Sequence, residues 1–364
     1  MTGFFAWMSA SNNNLPWQTP VQAVQAVEPV IAAPSQIGGL IDSFGRQVRY
    51  LRQSVTDRCD FRCYYCMAEE VSFLPREAVM SLEECLRVAR VFVGLGVNKL
   101  RITGGEPLVR KNILWLLRHL GRLDGLRELV LTTNGSQLQR YARDLYEAGV
   151  ARINISLDTL NIDRFRQITR IGDLGKVLTG IRAVREAGFR RTKLNTVMMR
   201  GVNDDEFVDL VRFAVAEGLD ISFIEEMPMG DITGRDATYI SAEETLTRLA
   251  EHFTLTPSSE SSGGPAKYWR INGSESRVGF ITPHSDNFCG DCNRVRLTAQ
   301  GDLHTCLGQN QAVSLLSVMR AHADEDAPLQ AAIVEAVAHK AEGHTFSQQM
   351  QQPQVFRFMS MTGG

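Results

Sequence analysis

The spacing of apolar and polar residues changes at several points along the chain. From residue 50, short apolar runs rich in β-branched residues alternate with longer amphipathic stretches. Short apolar runs are typical of buried strands, and the stretches between them are typical of helices that pack on a sheet. The six clearest runs cover residues 50–56, 97–103, 128–133, 150–157, 193–198 and 220–225.

The first amphipathic stretch has the clearest helical pattern. Ser81 and Glu84 are spaced as a capping box, which marks the start of a helix. Repeated strand–helix units are typical of an α/β fold with a parallel sheet. About six units, rather than the eight of a closed barrel, predict a partial barrel. The apolar face of this helix comprises Leu82, Cys85, Leu86, Ala89 and Val93.

The pattern changes again after about residue 255. A loop rich in Ser and Gly is followed by shorter strand-like runs and by an amphipathic helix predicted over residues 327–341. Several short strands followed by a helix are typical of an α+β fold. The strand-like runs cover residues 267–271, 277–282 and 294–298.

These changes predict three regions. We expect the partial barrel over residues 39–255 and a smaller α+β domain over residues 256–364. Residues 1–38 contain one charged residue, Glu28, and no periodic pattern, so we predict a disordered N-terminal extension.

Composition and charge exclude several classes of function. The 364 residues are 44% hydrophobic, which is enough to build a core and excludes global disorder. With 39 Lys+Arg against 41 Asp+Glu, the net charge of −2 gives no overall field for nucleic acid or an acidic membrane. No apolar run is long enough to span a membrane. The absence of Lys and Arg before Arg46 argues against a secretory or transit peptide, so we expect a cytoplasmic protein.

The seven cysteines are distributed unevenly. Cys85 stands alone on the apolar helix face, and the other six form two groups of three, about 220 residues apart. An odd number of cysteines without an export signal argues against a disulfide framework, and dense reduced thiols usually bind metal. The two groups are Cys59, Cys63 and Cys66, and Cys289, Cys292 and Cys306.

Three thiols have a specific meaning for metal chemistry. Zinc takes four ligands, whereas an iron–sulfur cube held by three thiolates keeps one iron open to another molecule. The first group has no nearby histidine, which favours the cube over a loop that is Cys-rich by chance. Spacing alone leaves the second group open between a cluster and a zinc knuckle completed by His304 or His284.

Polar and glycine residues follow several predicted strands. The second strand ends in Thr103-Gly104-Gly105-Glu106-Pro107. Polar residues also occur near the ends of other predicted strands, in residues 132–134, 156–158, 193–195 and 225–228. Glycine allows close approach of a ligand to the backbone, and the carboxyl ends of barrel strands are where barrel enzymes keep their sites. These segments therefore predict a site at one end of the barrel.

Two segments carry a family resemblance. LRQSVTDRCDFRCYYCM at residues 51–67 and FCGDCNRVRLT at residues 288–298 resemble the radical SAM superfamily and, within it, the GTP 3′,8-cyclase family of molybdenum cofactor biosynthesis. The resemblance extends from about residue 48 to residue 364. Asp60 replaces the usual Asn, and Ala68 replaces the usual Pro. It implies a partial (α/β)6-type radical SAM barrel whose open side is closed by the C-terminal α+β domain.

The resemblance also implies cofactors and site residues. Both cysteine groups would hold [4Fe-4S] clusters, and the first cluster would bind S-adenosylmethionine (SAM) and cleave it to a 5′-deoxyadenosyl radical. No catalytic side chain is implied, because the cofactors carry the radical chemistry. The implied SAM-binding residues are Tyr65, Gly105, Ser156 and Met227. The implied substrate-binding residues are Arg52, Arg101, Thr132, Lys193, Arg294, Val295 and Arg296. The terminal Gly363 and Gly364 would reach into the site.

The implied reaction converts GTP to 3′,8-cyclo-7,8-dihydro-GTP, which makes the protein a lyase. The implied partners are GTP, a low-potential electron donor, the cyclic pyranopterin monophosphate synthase MoaC that takes the product, and a second copy of the chain in a homodimer. One alternative is a radical SAM enzyme that modifies peptides or sulfatases. A non-enzymatic alternative is an iron–sulfur electron carrier or sensor, although a carrier would need four thiolates per cluster.

Overall fold

The computed structural model describes residues 39–68, 70–230, 235–286, 288–344, 346 and 355–363. The predicted extension over residues 1–38 lies outside the described residues, and so does Gly364. No helix in the described ranges combines the length and apolar character that a membrane crossing requires.

The six predicted strands of the partial barrel are confirmed and alternate with helices. Their residues are buried on both faces, as expected for parallel strands covered by helices. The strands are β1 (Leu40–Ile41), β2 (Gln47–Val48), β3 (Tyr50–Ser54), β4 (Lys99–Thr103), β5 (Glu128–Thr133), β6 (Arg152–Ser156), β7 (Lys193–Met198), β8 (Asp220–Glu225), β9 (Leu255–Ser258), β10 (Lys267–Ile271), β11 (Arg277–Ile281), β12 (Arg294–Leu297), β13 (Asp302–His304) and β14 (Val313–Ser314).

The helices pack their apolar faces on this sheet. The capping box at the start of the first helix is confirmed: Ser81 Oγ accepts from Glu84 N at 3.1 Å, and Glu84 Oε2 accepts from Ser81 N at 2.7 Å. Cys85 is fully buried in that helix, as a core residue. The helices are α1 (Leu82–Gly94), α2 (Ile113–Leu120), α3 (Leu138–Glu147), α4 (Ile162–Thr169), α5 (Leu174–Glu186), α6 (Phe207–Glu217), α7 (Arg235–Thr238), α8 (Ala242–Ala250), α9 (Leu315–Ala321), α10 (Ala327–Ala338) and α11 (Met359–Thr362).

One large sheet organises the described residues. Its order is β14-β13-β12-β3-β4-β5-β6-β7-β8-β11-β10-β9, and the pairs from β12 through β3–β8 to β11 are parallel. The sheet ends at β14 and β9, so within the described residues it is open rather than a closed barrel. The α/β partial-barrel prediction is therefore confirmed.

Strands from the C-terminal region extend this sheet at both edges. β11 pairs with β8 on one side, and β12 pairs with β3 on the other. The chain after residue 255 therefore borders both open edges of the six-stranded barrel. This arrangement brings residues from the two ends of the sequence onto neighbouring strands.

Candidate active site

A single chamber collects residues from all eight parallel strands. Both cysteine groups line it, although about 220 residues separate them in sequence. Every described residue that the sequence predicted for metal, SAM or substrate binding lies in its lining, with the tail considered below. The lining includes Cys59, Cys63, Cys66, Cys289, Cys292, Cys306, Tyr65, Gly105, Ser156, Met227, Arg52, Arg101, Thr132, Lys193, Arg294, Val295 and Arg296.

The first cysteine group lies in the loop that follows β3. The amides of Cys66 and Met67 both donate to the carbonyl of Cys63 at 3.0 Å, which closes a tight turn. Cys59 Sγ accepts from the amide of Phe61 at 3.3 Å. One short loop thus presents three half-buried thiols to the chamber.

Carboxyl groups surround this first group. Burial, together with the carboxyl groups of Glu106 and Asp60, raises the pKa of Cys59 to about 12. Burial also raises the pKa of Cys63, with a further contribution from Asp158. The pKa of Glu106 itself is raised to about 8 by burial, although its carboxyl accepts from Thr133 and Asn134. Acidic side chains therefore lie closest to these thiols, while the guanidinium of Arg62 donates to the backbone carbonyls of Cys59 and Phe61.

The glycine loop after β4 packs directly on the cysteine loop. Gly105 N donates to Thr56 O at 2.7 Å, and Glu106 N donates to Arg58 O at 2.8 Å. A Cβ at Gly105 would lie 2.5 Å from Arg58 O, which no side chain can tolerate. Only glycine permits this approach of two backbones beside the thiols.

Tyr65 is held by a carboxyl that the sequence analysis did not select. Its hydroxyl donates to Asp158 Oδ2 at 2.6 Å, and Asp158 Oδ1 accepts from Val197 N at 2.9 Å. Burial raises the pKa of Asp158 to about 6. Asp158 lies just after β6, so its position at a strand end was the available signal. Ser156 and Met227 face the same chamber from the ends of β6 and β8.

Strand register places the predicted substrate residues side by side. Arg296 on β12 pairs with Arg52 on β3, which pairs with Arg101 on β4. On the other half of the sheet, Thr132 pairs with Asn154, which pairs with Lys193. Arg101 Nη1 donates to Thr132 Oγ1 at 2.8 Å and joins the two halves of this row. The polar row therefore crosses six neighbouring strands.

Arg294 belongs to the same face as Arg296, two residues along β12. The Val295 side chain between them belongs to the hydrophobic core. Only the backbone of Val295 can therefore face the chamber.

The row carries concentrated positive charge. Lys193 Nζ donates to Tyr268 Oη at 3.1 Å, and Arg101 Nε donates to Tyr50 Oη, so the partners of these cations are phenol groups rather than carboxylates. Burial, together with the neighbouring cations Arg101 and Arg294, lowers the pKa of Arg52 to about 10. Burial alone would raise the pKa of Tyr50, but the nearby cations lower it to about 7. The site therefore attracts a polyanion.

The second cysteine group faces cations instead. Lys340 Nζ lies 3.5 Å from Cys292 Sγ, and Arg294 Nη2 lies 4.0 Å from the same sulfur. Burial would raise the pKa of Cys292, but Arg294 and Lys340 outweigh it and the pKa is lowered. Burial raises the pKa of Cys306, which Lys340 partly offsets. Sequence analysis missed Lys340.

A signal for Lys340 was nevertheless present. It continues the buried face of α10, at helical spacing after Leu329, Ile333 and Val337. A lysine in an apolar stripe is unusual because burying an ammonium group is costly unless an anion receives it.

The histidines proposed for a zinc knuckle have other partners. His304 Nδ1 is 3.0 Å from Gln311 O, and His284 Nε2 is 2.9 Å from Glu226 O. Burial lowers the pKa of His304 to about 4. In the part of the chain that the structure describes, no three His, Cys, Asp or Glu side chains are grouped to hold a single metal ion.

The C-terminal tail contacts two arginines of the polar row. Gly363 O accepts from Arg52 Nη2 and from Arg296 Nη1, both at 3.3 Å. Gly363 has φ +74°, and a Cβ there would lie 2.2 Å from Thr103 Oγ1. Glycine is therefore required on both conformational and steric grounds. Gly364 is outside the described residues.

The fold and the thiol loop define the class of protein, a radical SAM enzyme. Residues 54–214 match the Radical SAM superfamily, and residues 219–346 match the family Molybdenum Cofactor Synthesis C. The crystal structure of Streptococcus suis SuiB bound to S-adenosylmethionine has the same fold, with a TM-score of 0.55 and 17% identity over 86% of this chain and 77% of that one.

Relatives identify the family more narrowly. GTP 3′,8-cyclase of Pseudomonas entomophila is 57% identical over 328 residues, which cover 89% of this chain and 98% of that protein. GTP 3′,8-cyclase 2 of Pseudomonas aeruginosa is 55% identical, and GTP 3′,8-cyclase of Saccharophagus degradans is 52% identical, with the same coverage. The chain belongs to the GTP 3′,8-cyclase family.

Proposed function

We propose that this protein cyclises GTP to 3′,8-cyclo-7,8-dihydro-GTP, the first step of molybdenum cofactor biosynthesis. Membership of the GTP 3′,8-cyclase family supports this activity. One observation carries the proposal: a row of buried and half-buried cations lies in the same chamber as two groups of three thiols, and the hydrogen-bond partners of Arg101 and Lys193 in this row are phenol groups rather than carboxylates. A nucleoside triphosphate supplies the negative charge that such a row lacks.

The first thiol group fits a [4Fe-4S] cluster that binds SAM. Its three half-buried thiols come from one loop, and the neighbouring backbone at Gly105 leaves no room for a side chain. Cys59, Cys63 and Cys66 would hold the cluster, and Tyr65, Gly105, Ser156 and Met227 would hold SAM. The reduced cluster with SAM supplies a 5′-deoxyadenosyl radical, so the protein contributes no acid–base catalyst to this step.

The second thiol group would hold a second [4Fe-4S] cluster. Three thiols again leave one position for the substrate, and the adjacent cations Arg294 and Lys340 offset the negative charge of thiolates. Cys289, Cys292 and Cys306 would be the ligands, and the base of GTP would lie on this side of the chamber.

The polar row would bind the rest of GTP. Arg52, Arg294 and Arg296 are suited to the triphosphate, since guanidinium groups bind phosphate through paired hydrogen bonds. Arg101, Thr132 and Lys193 lie on the neighbouring strands and would orient the ribose. The burial of Arg101 and Lys193 strengthens their charged contacts, because little water remains around them.

The tail would complete the chamber. Gly363 contacts Arg52 and Arg296, so we expect the end of the chain to order these arginines around GTP. Deleting Gly363 and Gly364 should leave SAM cleavage largely unchanged and reduce the cyclised product. A truncated enzyme that forms product at the full-length rate would refute a role for the tail.

Several further features have weaker support. The domain boundary near residue 255 and a cytoplasmic location rest on the sequence pattern, whereas a homodimer, a low-potential electron donor and transfer of product to MoaC rest on the family resemblance. They remain predictions.

The decisive experiment is anaerobic reconstitution followed by reduction and product analysis. Protein supplied with SAM and GTP should form 5′-deoxyadenosine and a cyclised nucleotide in parallel. Protein that cleaves SAM but leaves GTP unchanged, and instead modifies a peptide, would refute the proposal. Protein that binds iron but never cleaves SAM would indicate an electron carrier.

A further inference from the structure

Lys340 is almost completely buried, with 2% of its surface exposed. Its ammonium group contacts two segments that carry thiols. Nζ lies 3.5 Å from Cys292 Sγ and donates to Thr305 O at 2.8 Å, next to Cys306. The ion pairs formed by the described residues give Lys340 no carboxylate partner. A buried cation of this kind needs an anion nearby, because its desolvation is otherwise uncompensated.

Arg46 connects the segment that carries Lys340 to Cys289, the remaining cysteine of the second group. Arg46 Nη1 donates to Cys289 O at 2.8 Å, and Arg46 Nη2 donates to Ala341 O at 2.6 Å. Asp42 fixes Arg46 through a buried ion pair of 2.6 Å. A Cβ at Gly343 would lie 3.3 Å from Cys289 Sγ, so this segment packs tightly on the thiol.

These contacts join four segments that are distant in sequence. The Arg46 turn, the Cys289–Cys292 turn, the Cys306 segment and the end of α10 meet at one point. Within this junction, the positive charge of Lys340 is directed at the sulfur of Cys292. The contact with Thr305 O holds the ammonium group in place.

We propose that Lys340 is a positioning residue of the second thiol site, which holds Cys292 and Cys306 in place and balances the negative charge of the cluster bound there. The inference rests on the proposed second cluster. A cation beside the thiolates favours the reduced state, because reduction adds negative charge to the cluster. Lys340 should therefore raise the reduction potential of the second cluster and leave that of the first unchanged.

The test is a redox titration of the reconstituted full-length enzyme, followed by electron paramagnetic resonance. The wave of the second cluster, meaning its redox transition in the titration, is identified because it is lost in the Cys289/Cys292/Cys306→Ala variant. Lys340→Met should lower the potential of that wave by at least about 59 mV, which is a tenfold change in a one-electron equilibrium. Lys340→Arg keeps the charge and should stay near wild type.

Two further variants separate charge from other effects. Lys340→Gln retains a donor for Thr305 O without the charge, so it should shift the potential as Lys340→Met does. Lys176→Met removes an exposed lysine from α5 and should move neither wave. The wave of the first cluster serves as an internal reference in every sample.

The outcomes discriminate between the claims. Loss of second-site iron from Lys340→Met but not from Lys340→Arg supports the proposal, because charge is then required for retention. Unchanged potential and full iron in Lys340→Met and Lys340→Gln overturn it. Equal loss of iron from Lys340→Met and Lys340→Arg also overturns it, because side-chain shape would then be responsible. Wild-type enzyme with iron for one cluster only would refute the second cluster itself, whatever the lysine variants show.

Discussion

The two thiol groups have the same number of cysteines but different electrostatic surroundings. Burial raises the pKa values of Cys59 and Cys63 in the first group, and the neighbouring carboxyl groups of Glu106, Asp60 and Asp158 add to the rise. Arg294 and Lys340 lie near the second group and lower the pKa of Cys292 against the effect of burial. Ligand number alone therefore does not describe either site.

This difference in surroundings suggests how one chamber can support both SAM cleavage and GTP binding. A carboxylate such as Asp60 beside a cluster disfavours the addition of an electron, so a cluster bound by the first group would be a strong donor when reduced. Cationic surroundings favour an anionic ligand, which suits a site that binds a nucleotide. We expect the first group to serve SAM cleavage and the second group to serve GTP.

The largest expected effect comes from removing thiols. Cys59→Ala, Cys63→Ala or Cys66→Ala should abolish SAM cleavage, because each removes a ligand of the cluster that donates the electron. Cys289→Ala, Cys292→Ala or Cys306→Ala should leave some uncoupled SAM cleavage and no cyclised nucleotide. Measuring 5′-deoxyadenosine and nucleotide products side by side checks both. If variants of both groups fold and neither cleaves SAM, the division of tasks is wrong.

Asp158→Asn should change the pH dependence of stability. The pKa of Asp158 rises from 3.8 to about 6 on folding, so the folded state binds the proton more tightly than the unfolded state. Stability therefore falls as pH rises from 3.8 through 6, by roughly 3 kcal/mol over the whole window. The variant should lack this fall.

The measurement is urea unfolding of the apoprotein at pH 5 and pH 8, between which about half of this fall should occur. Asp124→Asn alters an exposed carboxylate and is the matched control. An identical pH dependence in wild type and Asp158→Asn would show that Asp158 is ionised in the folded state across this range.

Arg296→Ala should weaken GTP binding much more than SAM binding. Arg296 is half-buried and belongs to the polar row, and losing a charge-assisted hydrogen bond costs roughly 1.5–3 kcal/mol, or about ten- to a hundredfold in affinity. Calorimetry with each ligand checks the prediction, with Arg143→Ala on the exposed face of α3 as control. Arg294→Ala should act in the same direction. Unchanged GTP affinity would contradict the assignment of the row.

Asp60→Asn should give the smallest effect and the sharpest contrast between the groups. The Asp60 carboxylate accepts from Asn134 Nδ2 and Ser136 Oγ at 2.7 Å and from Gln137 Nε2 at 3.0 Å. An amide can replace only part of this network, so we expect a stability loss of about 1 kcal/mol. The reduction potential of the first cluster should rise, and that of the second should not. A shift of the second alone would contradict the comparison.

The sequence by itself determined most of the local structure. The six barrel strands, the capped helix α1 and the buried Cys85 follow from patterns that extend over a few residues. The thiol spacing and its flanking motifs are also local, so the amino-acid sequence alone indicates the family. Such features depend on neighbours in sequence, which the order of residues shows directly.

Only the tertiary structure decided what surrounds each group. The pairing of β12 with β3 and of β11 with β8 brings the second thiol group into the chamber of the first. Lys340 and Arg46 reach their thiol segments across about 50 and 240 residues, and Asp158 meets Tyr65 across about 90. Charge acts through space and depends on burial, so the contrast between the two groups appears only once the chain has folded.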